Sequence, residues 1–174
     1  MLLHAPRAAR RSSRSSAAAP TPLGLADLST LTRSIVAQVR TGAHDVVLDP
    51  DRRWYRRLYA DPFVDVWLIS WATEQATELH DHAGSLGALT VVSGELQEQR
   101  WVPGERALRT RRLRGGRGAT FALGHVHDVV NTEPAHAVSV HAYSPPLTAM
   151  SYYAVDPTGD LRRTRTVLTT GGEA

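Results

Sequence analysis

The sequence predicts an all-β sandwich or barrel with a helical cap at its N-terminal end. Three observations carry this: short apolar segments at regular spacing, turn formers between them, and a helix-period block ahead of them. In that block Leu28, Leu31, Ile35, Val36 and Val39 recur at helical spacing between Asp27 and Arg40. Asp27 or Ser29 suits its start and Gly42 its end. A second short helix is expected around Arg52–Tyr59, which makes a helical cap over residues 26–60. The strand series then runs through Val64–Trp71, Ala88–Val92, Gly94–Trp101, Arg106–Arg114, Gly118–Leu123, Ala137–Tyr143 and Met150–Val155, a barrel over 61–158. Pro103-Gly104, Gly115-Gly116, Glu133-Pro134 and Pro145-Pro146 punctuate it.

The 174 residues suffice for one domain with a real core, read as residues 23–174. Residues 1–22 are rich in Arg, Ser and Ala, and such a segment cannot bury enough apolar surface to offset its ordering entropy. A disordered tail is expected there, and no apolar stretch follows its arginines as a secretory signal would require. No segment reaches the roughly 18 apolar residues of a membrane helix, so no membrane association is expected and the location is read as cytoplasmic. The chain has no cysteine, which excludes disulfides, thiolate metal sites and cysteine nucleophiles. Any metal must therefore be held by imidazole and oxygen. All 20 basic side chains are arginine, and four of them lie in the acid-free tail. The other 16 face 17 acids, so the net charge of +3 belongs to the tail. Arg106, Arg109, Arg111, Arg112, Arg114 and Arg117 fall on an expected hairpin with no interleaved aromatics, which argues against nucleic-acid binding.

His80-Asp81-His82 is the first feature that carries chemistry. On a strand, residues i and i+2 face one side, so both imidazoles can reach one metal. Four residues later comes Gly87, and six after that Gly94. This spacing resembles the first cupin motif, HxH-x4-E-x6-G, with glycine in place of the glutamate. Gly116, Gly124, His127 and Asn131 resemble the second, G-x5-P-x-G-x2-H-x3-N, with Ala122 where proline is usual. His125 and His127 are both candidates for a third ligand, and motif register favours His127. Without the glutamate, three neutral imidazoles leave the full charge on the metal. Such a centre attracts an anionic donor, and a thiolate is a natural one.

Together with the segments around His127 and Ser139, these motifs resemble the type I cysteine dioxygenase family over roughly Tyr55 to Tyr153. That family also lacks the first motif's glutamate. The segment from His127 to Pro134 is similar to its third-ligand segment, and Ser139-Val140-His141-Ala142-Tyr143-Ser144-Pro145-Pro146 matches its S-x-H-x-Y-S-P-P signature. Independently of the resemblance, Ser139, His141 and Tyr143 alternate on a strand and can form one inward line of hydrogen bonds. The resemblance implies a cupin jelly roll holding one Fe(II) per chain on His80, His82 and His127. It implies L-cysteine and O2 as substrates, with Tyr143, His141 and Ser139 as the catalytic line. It places Arg57 on the carboxylate-binding arginine, Tyr55 beside it, and Trp71 on the pocket wall. Local grounds do not separate Arg56 from Arg57. It further implies a cis Ser144-Pro145 bond and an uncrosslinked Tyr143, since mammalian members carry a cysteine at the Gly87 position; a monomer is expected. Two other readings stay open: the same chemistry on another small thiol such as 3-mercaptopropionate, and a non-catalytic metal-binding cupin.

Overall fold

A computed structural model describes residues 21–169. The expectation of a disordered tail therefore falls almost wholly outside the described residues. One helix, α1 (Leu25–Arg40), precedes eleven strands. These are β1 (Trp54–Ala60), β2 (Asp65–Trp71), β3 (His80–Asp81), β4 (Leu86–Ser93), β5 (Glu95–Val102) and β6 (Ala107–Arg114), then β7 (Gly118–Phe121), β8 (His127–Val130), β9 (Ala137–Ser144), β10 (Ala149–Val155) and β11 (Leu161–Leu168). They form two antiparallel sheets, β1-β2-β9-β4-β7 and β11-β10-β3-β8-β5-β6. This is the all-β, two-sheet jelly roll with a helical cap that the sequence predicts.

Alternation along the central strands builds two cores. Trp67, Ile69, Trp71, Leu89, Val91, Phe121 and Tyr143 fill the space between the sheets with Leu96, Leu113, Val129 and Met150. Val66, Leu68, Ala88, Val138, Val140 and Ala142 point the other way, under Leu28, Val36 and Val39 of α1. β2 and β9 are buried at every position because both of their faces are covered. α1 begins one turn earlier than Asp27 would set as a cap. The Gly24 N–H instead donates to the Asp27 carboxylate at 3.2 Å. Its C-terminal Arg40 reaches the Val92 carbonyl at 2.7 Å, which ties the cap to β4.

Two expectations need correcting. Residues 54–60 form an edge strand rather than a second helix. Trp54 and Leu58 pack towards α1, a spacing of four that a helix and a strand both satisfy. Tyr55 and Trp67 meet on the opposite face, and only the strand period of two explains that face. The sheet also continues past residue 158, because β11 pairs along β10 from Leu161 to Leu168. Gly94, in the first motif, has φ +73°, and a Cβ there would lie 2.7 Å from the His136 carbonyl oxygen. The Ser144-Pro145 bond is cis.

Candidate metal centre

β3 and β8 are neighbours, and their register sets His80 directly opposite His127. His82 lies two residues beyond His80 and joins them. The ring centroids are 5.0 Å apart for His80–His82, 4.8 Å for His80–His127 and 5.2 Å for His82–His127. One ligand nitrogen from each lies within 4.8 Å of the others, and all three residues are buried. Burial is the largest influence on each imidazole and holds each pKa below the usual histidine range, so all three are neutral donors. His80 Nδ1–H donates to the Glu78 carbonyl at 2.7 Å, leaving Nε2 for a metal.

Glu98, which sequence reasoning missed, does the same for His127. His127 Nδ1–H donates to Glu98 Oε1 at 3.0 Å, and His125 Nε2 donates to that same oxygen at 3.1 Å. Arg111 closes the other carboxylate oxygen. Burial raises the pKa of Glu98, but hydrogen bonds from His125, His127 and Arg111 outweigh it and keep the carboxylate ionised. His125 thus shares Glu98 with the third ligand and does not point into the triad. Glu98, His125 and His127 also converge as a second group of possible donors. Their mutual hydrogen bonds identify an outer shell that orients His127. Glu98→Gln is expected to weaken metal binding about 10- to 100-fold, read by chelator competition.

His127 Nε2 and His82 Nε2 are buried and have no hydrogen-bond partner. A buried polar nitrogen without a partner costs free energy that a coordinated cation would recover. Neutral imidazoles in this arrangement suit iron, zinc, copper or nickel and do not suit magnesium or calcium. The residues present therefore fit a transition metal, which His80, His82 and His127 would hold.

Phe121 and Tyr143 form one wall of the triad, their rings 5.4 and 4.8 Å from that of His82. Gly87 makes this packing possible. A Cβ there would lie 2.8 Å from Phe121 Cδ2 and 3.1 Å from Tyr143 Cδ1. Behind Tyr143 runs a line of hydrogen bonds. Trp71 Nε1–H can only donate, and it donates to Ser139 Oγ at 2.9 Å. The Ser139 hydroxyl and His141 Nε2 share a hydrogen bond of 2.9 Å, and His141 Nδ1 and the Tyr143 hydroxyl share one of 3.3 Å. Burial drops the His141 pKa to about 3 and, with Asp65 opposite, raises that of Tyr143. Both stay neutral throughout the ordinary pH range. Asn131, from the second motif, secures the start of this line by donating to the Trp71 carbonyl at 3.0 Å.

The arginines at and just before β1 lie at different depths. Arg57 faces Trp67, its guanidinium carbon 5.4 Å from the ring centroid, and is exposed at the rim together with Tyr55. Arg56 is exposed on the alternate face of β1. Arg53 goes deeper: it lies 4.9 Å over the Trp71 ring and donates to the Ala76 carbonyl at 3.1 Å. The reason is register. Arg57 is opposite Trp67 and Trp54 opposite Ser70, so one step further sets Arg53 against Trp71. Burial lowers the Arg53 pKa, and its charge acts on Tyr143, Tyr152, Tyr55, His80 and His141. Arg53 thus lies deeper, over Trp71, whereas Arg57 is exposed over Trp67.

Several solved structures share this architecture. A protein with a double-stranded β-helix domain from Klebsiella pneumoniae is 15% identical, with a TM-score of 0.54 over 83% of this chain and 98% of its own. TT1209 from Thermus thermophilus is 19% identical, with a TM-score of 0.52 over 58% of this chain and 90% of its own. KdgF from a Halomonas species is 17% identical, with a TM-score of 0.50 over 60% and 88%. At these identities the likeness establishes the cupin fold and nothing finer. The family model described as "Cysteine dioxygenase type I" matches residues 26–155, the stretch that carries α1, the histidine triad, Glu98 and the Trp71–Tyr143 line. This chain belongs to the cysteine dioxygenase type I family.

Proposed function

We propose that the protein is an iron-dependent thiol dioxygenase that adds both atoms of O2 to the sulfur of L-cysteine, giving cysteine sulfinate. The observation that carries this reading is a buried group of three histidines, with the Tyr143 ring packed 4.8 Å from that of His82. Iron on His80, His82 and His127 would supply open coordination positions for the thiolate and O2. The reaction balances without a further reductant: sulfur gives up four electrons, and O2 takes them.

The chain's own residues supply binding, orientation and dryness. Arg53 presents a planar fork suited to a carboxylate, and Trp71 braces it from below. Tyr143, held by His141 at 3.3 Å and packed against His82, would offer its hydroxyl to the bound substrate. His141, neutral throughout the ordinary pH range, orients Tyr143 through their 3.3 Å contact. Trp67, Phe121, Leu147 and Met150 wall the barrel interior and exclude water. All of these groups come from one chain, which suits action as a monomer. Among the described residues no helix is long and apolar enough to cross a membrane. A cytoplasmic location is part of the proposal.

Tyr143→Phe is expected to lower kcat about 10-fold or more while iron content stays at the wild-type level, as befits one lost hydrogen bond in a dry site. Metal analysis beside steady-state rates checks it. Oxygen uptake by the Fe(II)-loaded enzyme across L-cysteine, 3-mercaptopropionate and cysteamine tests the substrate. Fastest turnover per bound iron with L-cysteine supports the proposal. Preference for 3-mercaptopropionate would move the reading to that thiol, and no thiol-dependent uptake would leave a metal-binding cupin without this activity.

A further inference from the structure

β11 lies beyond residues 26–155, which the family model matches, yet it reaches back to the metal centre. We propose that Arg165 on this strand is a positioning residue that holds the ligand His80 in place through Glu78 and Tyr152. This rests on the reading that the histidine triad binds a metal.

Register puts Arg165 opposite Tyr152, Tyr152 opposite His80, and His80 opposite His127. These four residues form one row across β11, β10, β3 and β8. Directly opposed residues project to the same face, so Arg165 stands on the face that carries the ligands. Its guanidinium lies 3.8 Å over the Tyr152 ring, which is 6.3 Å from the His80 ring. The same guanidinium closes a two-point fork on the Glu78 carboxylate, with Nη1–Oε2 at 3.0 Å and Nη2–Oε1 at 2.5 Å. Glu78 is the residue whose carbonyl accepts the His80 Nδ1–H at 2.7 Å. One side chain therefore grips both the residue that sets the orientation of His80 and the ring beside it.

β3 is two residues long, so it has little ladder of its own to fix its approach. Backbone bonds hold Thr77 to Val129 and Leu79 to Tyr153, and the Glu78 fork acts between these two points. The pair is partly exposed, at 45% for Arg165 and 65% for Glu78, and exposed ion pairs hold little on their own. Fork geometry and the cation–π contact strengthen this one. The expected effect is correspondingly moderate and lies in metal binding.

The test uses the full chain, stripped of metal under anaerobic conditions and titrated with Fe(II) or Co(II) alone. Arg165→Gln and Glu78→Gln should each weaken binding about 3- to 10-fold, and the double variant should be no worse than the weaker single one. The Co(II) ligand-field spectrum of Arg165→Gln should shift, because it reports geometry at the three histidines. A purely structural role would leave that spectrum unchanged and move only the melting temperature. Arg109→Gln breaks a comparable exposed pair with Glu105 on β6 and should bind like wild type. Wild-type affinity and spectrum in Arg165→Gln would overturn the proposal. A wild-type protein that takes up neither metal would instead overturn the reading of the triad itself.

Discussion

Replacing His82 with alanine is expected to abolish metal retention and turnover together, while the apo-protein stays folded. His82 is 4% exposed, its Nε2 has no protein partner, and the two rings against it belong to the pocket wall. The fold gains little from that nitrogen, whereas a metal would lose a third of its protein ligands. Mutation of outer-shell partners already costs about 10- to 100-fold in affinity, so losing a ligand should cost more. The cavity left beside Phe121 should lower stability by about 1–3 kcal/mol, within reach of a protein with two other intact wall rings. Metal analysis, oxygen uptake and thermal unfolding on one preparation check all three parts. Full iron content with full activity in His82→Ala would remove His82 from the centre.

Arg53→Gln should raise KM for L-cysteine about 10- to 100-fold, the scale of a charge-assisted hydrogen bond lost in a buried site. Its effect on cysteamine, which has no carboxylate, should be slight. Arg57→Gln should change either constant less than about threefold, since Arg57 is exposed and lies over Trp67. Steady-state kinetics on both thiols separate the two arginines. A larger loss in Arg57→Gln than in Arg53→Gln would show that the family register of this segment outranks the geometry.

The contrast between those arginines marks where sequence reasoning stops. Motif spacing brought out His80, His82 and His127, which the structure gathers into one buried group. Strand alternation brought out Ser139, His141 and Tyr143, which the structure joins end to end through Trp71. The depth of Arg53 was hidden because it depends on cross-strand register, and β1 itself reads as helical at Trp54 and Leu58. Glu98 was hidden among the glutamates of an arginine-rich hairpin. One signal was available: it follows Leu96 at a spacing of two, on the buried side of β5. β11 reads as a polar tail, LRRTRTVL, because a sheet edge has one face in solvent and needs no apolar run.

Oxygen-isotope labelling tests the central claim most directly. The protein is loaded with Fe(II) under anaerobic conditions, mixed with L-cysteine, and exposed to 18O2 in unlabelled water. The expected product is cysteine sulfinate in which both sulfinate oxygens carry the label, formed in proportion to bound iron and absent from His82→Ala. Sulfinate labelled at one oxygen, or oxygen consumed with cystine as the product, would contradict a dioxygenase.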